Sequence, residues 1–402
     1  MAKGILIAIL AAALALRLGW ALSRSGDEAA LRALPDQVEY LALGRNLLRG
    51  DGLQFADERF NGARVYAFRT PGYPLFIAAC GGHVVVVRVV QCLIDVSTVL
   101  AVYLLARRWL GAGPALLAAA GVTVNPFLVF FCPLILSETL FTAMLAWALA
   151  VMVRPRRPNW AMLCGVVLLA LSVQVRPEAL GLPVVMAIAA MFANPATRTR
   201  RALPPALTGV VLTLLVLLPW AMRNRTVLGR WIWLTTNGGI TAYDGFNPDA
   251  DGSSDQSFIA AMPQLKDMTE LERDAYLRNQ AAAFVRQNPE AAVELAGRKI
   301  ARTWSPVPLS AQYRTPANLA IALLYSLPLD LLAIYGVLTS AALPRAAKGF
   351  LLAPVIYFTL VHALSVGSLR YRVPVEPALA VLAAAGVSAL WRREVQFASP
   401  AA

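Results

Sequence analysis

Apolar residues in this chain come in long runs, separated by short polar breaks rich in arginine. About 20 predominantly apolar residues make one helix across a bilayer. The pattern predicts ten such spans, at 5–23, 84–108, 114–132, 138–153, 159–174, 179–193, 204–221, 317–341, 349–366 and 373–391. The first run, Ile5 to Leu22 behind Lys3, resembles a signal peptide. It lacks a small-x-small cleavage site followed by a soluble domain, so it reads as a retained span. Tyr73 to Ala79 is apolar but too short to cross, which predicts a half-buried or re-entrant helix.

Two longer polar segments remain, 24–82 and 222–316. They divide the chain into an N-terminal transmembrane module (1–221, with 24–82 as its first outer loop), an extracytoplasmic loop segment (222–316) and C-terminal transmembrane helices (317–402). No transporter-like internal repeat is visible.

Composition agrees with a helical membrane protein. Of 402 residues, 58% are hydrophobic and only 15% charged, with a mean hydropathy of +0.60. A soluble enzyme, a disordered chain and a β-barrel are all excluded on that reading. The net charge of +13 would suggest nucleic acid in a soluble protein. Here thirteen bases fall in short loops on one side: Lys3, Arg107, Arg108, Arg154, Arg156, Arg157, Arg198, Arg200, Arg201, Arg345, Lys348, Arg392 and Arg393, opposed only by Glu394. The rest of the chain holds 23 bases and 22 acids. This is the positive-inside asymmetry of a membrane protein. It puts both termini in the cytoplasm and both long polar segments outside, and it leaves no role for nucleic acid. All cytoplasmic loops are short, so any chemistry faces outward.

The four cysteines (80, 92, 132 and 164) read as buried small hydrophobes, without a disulfide framework. His83 and His362 are the only histidines and lie far apart, which excludes a His-rich metal site. Asp36 opens a helical stretch that suits a helix lying on the membrane surface. It is a candidate general base or cation ligand. With Glu39 three residues on, it is equally an acidic variant of a capping box. Glu138 lies between two apolar spans, where an ionisable group is a functional candidate by default; the structural alternative is a first-turn acid behind a Ser137 cap. Arg176, Arg370 and Arg372 sit at outer interface turns. Their planar forks suit the oxygens of a lipid phosphate, although interfacial arginines also snorkel to headgroups or pair with Glu178 and Glu376. Arg88 and Asp95 lie seven apart on one face and are expected to pair within the bundle, and Asp330 is deep in the eighth span. Asn237 and Asn247 lie in a turn-rich outer loop that could offer sugar contacts or simply fold tightly.

Asp36 with Tyr40, Gly50-Asp-Gly52, Arg69-Thr-Pro-Gly-Tyr-Pro74, Ser137-Glu-Thr-Leu-Phe141, Arg176-Pro-Glu178, Thr236-Asn-Gly-Gly239 with Asn247-Pro248, Asn288-Pro289 leading to Lys299 and Trp304, and Arg370-Tyr-Arg-Val-Pro374 follow one another along the chain. In that order and topology they resemble the GT-C glycosyltransferases. The nearest likeness is to bacterial relatives of the dolichyl-phosphate-mannose protein mannosyltransferases and of the lipid A aminoarabinose transferase. The resemblance implies an all-α polytopic GT-C bundle in a bacterial inner membrane. It implies transfer of a sugar from a polyprenyl-phosphate (undecaprenyl) donor to a lipid, glycan or protein acceptor of the cell envelope, on the periplasmic face. By position Asp36 and Glu138 are implied as the catalytic acids, with Arg176, Arg370 and Arg372 on the donor phosphate. Tyr40, Arg69, Tyr73, Glu178, Asn237 and Tyr371 are further candidates for substrate contacts. Some members use a divalent cation and others none, so the cofactor stays open; Asp36 and Glu138 are where a metal would be sought. Larger members continue beyond the tenth span, which leaves the acceptor open.

One base and no evident nucleophile pair imply a single displacement with inversion. A lipid or glycan transporter explains the spans and arginines equally well, but not two structured outer segments without repeats. A non-catalytic assembly subunit fits the same composition.

Overall fold

The computed structural model describes residues 1–24, 28–154, 158–193 and 204–398. Arg156, Arg157, Arg198, Arg200 and Arg201 lie outside the described residues, as do the side chains of Arg392, Arg393 and Glu394. Ten apolar helices occupy the ten predicted positions. In chain order the helices are α1 (Ala2–Leu22), α2 (Pro35–Leu48), α3 (Gly72–Ala79), α4 (Val84–Leu110), α5 (Ala112–Thr123), α6 (Pro126–Phe131), α7 (Glu138–Met152), α8 (Pro158–Val173), α9 (Leu182–Ala193) and α10 (Pro205–Leu228). They continue with α11 (Gly238–Gly245), α12 (Phe258–Ala261), α13 (Glu270–Gln287), α14 (Pro289–Thr303), α15 (Pro316–Thr339), α16 (Arg345–Ala363) and α17 (Glu376–Ala398). By length and composition α1, α4, α10, α15, α16 and the segment Leu369–Trp391 can each cross a membrane, and four shorter apolar helices complete the set. The protein is an all-α polytopic membrane bundle.

The third predicted span is broken. Asn125 is extended and accepts hydrogen bonds from Phe127 N and Leu128 N, with Pro126 behind it. A residue before proline is pushed out of the helical region, so α5 ends and α6 starts afresh. Small residues allow a close helix contact between α15 and α17. Gly336 of α15 lies against Leu382 O, and Gly386 of α17 against Leu332 O, an approach a Cβ would block.

Arg17 of α1 is fully buried and pairs with Asp95 of α4. It also donates to Thr123 O (3.0 Å) and Val122 O (3.2 Å), carbonyls of the last turn of α5. The expected Arg88–Asp95 pair is therefore corrected. Asp95 is taken by a different helix, and Arg88 Nε donates to Pro133 O instead. Seven residues put the two on one face, but not within reach of each other. Cys92 and Cys132 are buried, whereas Cys164 is exposed and Cys80 half-buried, because α8 turns Cys164 outward from the bundle.

The two polar segments fold against each other. A short antiparallel hairpin, β1 (Phe55–Asp57) and β2 (Ala63–Val65), packs its buried residues with Ile240, Ile259 and Leu277. Glu270 accepts from Tyr66 N (2.8 Å) and Ala67 N (2.9 Å) and from Thr236 Oγ1. Arg223 donates to Tyr66 O (2.6 Å) and Leu53 O (2.8 Å). These bonds fix the strand end that leads into Arg69.

Candidate active site

The end of the bundle beneath these loops holds a chain of alternating charges. Pro35 starts α2, its fixed φ suited to the first helical position. The cap residue Leu34 has no side chain to cap with, and no side-chain cap bond is made. The Asp36–Glu39 capping box is thus corrected: both carboxylates turn outward, one helical turn apart, to meet arginines. Arg69 Nη2 lies 2.6 Å from Asp36 Oδ1, and Arg69 Nε 2.9 Å from Glu39 Oε2. Arg59 Nη2 holds the other Glu39 oxygen at 2.8 Å.

Glu138 reaches the same place from the other side. Gln91 of α4 donates to Cys132 O and Leu134 O (both 2.7 Å), and Gln37 Oε1 accepts from Ile135 N (3.0 Å). The turn before α7 is thereby pinned. Ser137 forms no cap bond, and the Glu138 side chain is fully buried. Its Oε1 accepts from Arg176 Nη1 at 2.7 Å and from Arg370 Nε. Arg370 Nη1 lies 2.8 Å from Asp36 Oδ2. Arg176 Nε lies 2.7 Å from Glu178 Oε1. The result is one sequence of ion pairs: Arg59, Glu39, Arg69, Asp36, Arg370, Glu138, Arg176, Glu178. Arg59 also binds Asp57 (2.8 Å), so four guanidinium groups meet five carboxylates. The chain is partly open at Asp36 and Arg370, 29% and 25% exposed at the side chain, and again at its ends, whereas Glu138 is at 0%.

Aromatic rings brace this network. Arg69 lies over Tyr40 (5.2 Å) and Phe68 (5.3 Å). Tyr40 meets Tyr73 edge-on at 4.9 Å, and the buried Tyr73 hydroxyl donates to Gln91 Oε1 (2.6 Å). Tyr371 is stacked on His362, centroids 4.0 Å apart and planes 7° off parallel.

The electrostatics follow. Burial works to raise the Asp36 carboxyl, but Arg69 and then Arg370 outweigh it and hold it below the usual carboxylate range. Glu39 is raised, because burial there exceeds the pull of Arg69 and the Asp36 charge adds to it. Burial also opposes ionisation of Glu178, yet Arg176 leaves it lowered.

One expectation is not met by this geometry, and the asparagine loop folds tightly at Asn247. Arg372 does not join Arg176 and Arg370 in one wall. Its fork grips Asp330 (2.8 and 3.2 Å) and its Nε binds Glu376 (2.7 Å), whose other oxygen accepts from Asn125 (2.8 Å). Residues 369–375 form a 3₁₀ turn, in which each residue rotates by about 120°, so 370 and 372 point to different sides. Asn237 begins α11, which packs on α13; its buried Oδ1 has no hydrogen-bond partner. Asn247 bonds within its own turn, to Tyr243 O (2.7 Å) and Asp249 N (2.8 Å).

Glu39, Arg59, Gln91 and His362 belong to the site or its support and were not singled out from sequence. The spacing of Glu39 from Asp36 was the one available signal.

A divalent cation does not fit this donor set. The carboxylates of Asp36 and Glu138 are already neutralised, with the Arg370 guanidinium between them. Among the described residues no group of three His, Cys, Asp or Glu side chains converges.

Comparison with known proteins gives a consistent picture. Residues 73–222, more than a third of the chain, match the family model of dolichyl-phosphate-mannose-protein mannosyltransferase. No curated protein matches the sequence. Among solved structures, the chain is similar to the archaeal oligosaccharyltransferase AglB from Archaeoglobus fulgidus, in complex with an inhibitory peptide and a dolichol-phosphate. The TM-score is 0.58 at 15% identity, over 100% of this chain and 52% of that one. The apo form of the Archaeoglobus fulgidus oligosaccharyltransferase matches with a TM-score of 0.58 at 14% identity, over 99% of this chain and 51% of that one. This chain therefore spans about half the length of the enzyme it resembles. The fold is a GT-C-like bundle, similar to that of the archaeal oligosaccharyltransferase.

Proposed function

We propose that the protein is a glycosyltransferase that moves a sugar from a polyprenyl-phosphate donor to an acceptor hydroxyl or amine, with inversion. The observation that carries the reading is the convergence of Asp36, Arg69, Glu138, Arg176 and Arg370 from four separate segments onto one partly open network. The match at residues 73–222 contains Glu138 and Arg176 and supports the same chemistry.

The acceptor atom attacks the anomeric carbon, the bond to the donor phosphate breaks, and the acceptor proton goes to Asp36. Arg370 and Arg176 meet the departing phosphate and stabilise its charge. Arg370 neutralises Asp36 and Glu138 together in the ligand-free network. A donor phosphate competes for that fork. Drawing Arg370 toward phosphate raises the proton affinity of Asp36 at the moment a base is needed. Glu138 keeps Arg176 and Arg370 in place and orients the acceptor, Tyr371 lines the sugar site beside Arg370, and Tyr40 and Arg69 set the position of Asp36. With an arginine between the two carboxylates, a double displacement is disfavoured. The outward orientation of the site belongs to this reading on the strength of the charge asymmetry; the undecaprenyl chain of the donor and the bacterial inner membrane belong to it as what the family resemblance implies.

The test is transfer from a radiolabelled polyprenyl-phosphate sugar by the purified protein, with membrane lipid, glycan and peptide fractions as acceptors. Label should appear in one acceptor class. Movement of intact donor across a vesicle membrane without transfer would replace the enzyme with a flippase.

A further inference from the structure

We infer that the end of the bundle opposite the ion network carries a binding site for the phosphate headgroup of an anionic glycerophospholipid. A cavity of about 220 Å³ lies between the C-terminal ends of α4 and α7, lined by Leu104, Arg107, Arg108, Ala150, Val153 and Arg154. Among the described residues, three arginines and three apolar side chains form its wall, and no carboxylate does. All three arginines are exposed at its rim, and two of them are held by hydrogen bonds. Arg107 Nη1 donates to Tyr103 OH at 2.9 Å, and Arg108 Nε donates to Val153 O at 3.0 Å.

Capping a helix end accounts for one N–H of Arg108. It does not account for three guanidinium groups around one apolar-floored hollow. A phosphate diester matches the planar forks, and an acyl chain matches the wall beneath, where Leu104 is 37% exposed on the outside of the bundle. Basic pockets between spanning helices suit such headgroups. The donor is a poor candidate for this place. Sixteen residues of α4 separate Arg107 from Gln91, which props the Glu138 turn, or about 24 Å of helix. The charge asymmetry of the chain assigns this end to the cytoplasmic leaflet.

Native mass spectrometry of the purified protein tests the site, with phosphatidylglycerol as the probe. Phosphatidylcholine is the zwitterionic comparison, and undecaprenyl phosphate the polyprenyl one. The wild type should retain phosphatidylglycerol on the order of tenfold better than phosphatidylcholine. Arg107→Gln with Arg108→Gln should abolish the preference and leave phosphatidylcholine binding unchanged. Arg107→Lys with Arg108→Lys should keep part of it, since charge remains while the fork is lost. If the glutamine pair fails to fold, Arg107→Gln alone carries the test, because Arg108 keeps its helix-end bond. Arg345→Gln with Lys348→Gln, a basic pair on another helix at the same side, should change nothing. An undiminished preference in the Arg107/Arg108 variant overturns the site. An equal loss in the Arg345/Lys348 variant reduces it to general surface charge. Displacement of phosphatidylglycerol by undecaprenyl phosphate at equal concentration would hand the cavity to the polyprenyl lipid and overturn the assignment.

Discussion

Asp36 and Arg370 stand 334 residues apart in the chain, and their Oδ2 and Nη1 atoms lie 2.8 Å apart in the fold. The same guanidinium binds Glu138 through Nε. One side chain therefore joins the polar segment 24–82, the start of α7 and the turn before α17. The site depends on this connection more than on any single segment.

Asp36→Asn removes the proposed base and keeps the shape. The wild-type residue makes no helix-capping bond, so the variant should fold and bind donor. Transfer should fall by about a hundredfold or more, as for a lost general base. Near-normal single-turnover rates would take Asp36 out of the mechanism.

Arg69→Gln should move the acid limb of kcat/KM to higher pH. Arg69 is the stronger of the two cations that hold the Asp36 carboxyl down against burial. Without it burial counts for more, and the folded value rises. The stabilising effect follows the same sign. A lowered folded value contributes stability above the unfolded carboxylate value of about 3.9 and loses it as pH falls through the folded one. The variant should therefore be less stable than wild type at neutral pH, with a smaller further loss on acidification. A pH profile unchanged by Arg69→Gln would separate Asp36 from the kinetic limb.

Arg370→Lys and Arg372→Lys should part company. A lysine at 370 cannot hold Asp36 and Glu138 with two spaced donors. Donor use should weaken by about 1.5–3 kcal/mol, the cost of a lost hydrogen bond to a charged group, or tenfold and more in KM. Arg372 is buried between Asp330 and Glu376, so its loss is structural. Arg372→Lys should lower the melting temperature in detergent while leaving the donor KM of the folded protein unchanged. A raised donor KM without a stability change at 372 would put that residue back on the phosphate.

The Arg17–Asp95 pair offers a stability test remote from the site. Both side chains are buried, at 0% and 1% exposure. Removing either partner alone leaves an uncompensated charge, and Asp95→Leu or Arg17→Met should each cost about 3–5 kcal/mol. The double variant should cost much less than the sum, read by thermal unfolding in a double-mutant cycle. Additive losses would show that the pair is not coupled.

Local pattern determined much of this protein. The apolar runs marked ten helices, because the length of an apolar stretch is a property of neighbouring residues alone. Asp36 at the head of its stretch and Ser137 beside Glu138 marked two helix starts, and the order of polar motifs pointed to the fold. The partners of the charged residues were not local. Sequence spacing put Arg88 beside Asp95 and Arg372 beside Arg370, yet Asp95 went to Arg17, and Arg372 to Asp330 and Glu376. Glu39 looked like half of a capping box and became a link in the ion chain. A charge buried in an apolar bundle takes whichever opposite charge the packing brings within about 4 Å. That choice turns on helix rotation, the 3₁₀ geometry at 369–375 and the pinning of the 132–137 turn by Gln91 and Gln37. Those are consequences of three-dimensional packing, and only the tertiary structure decided them.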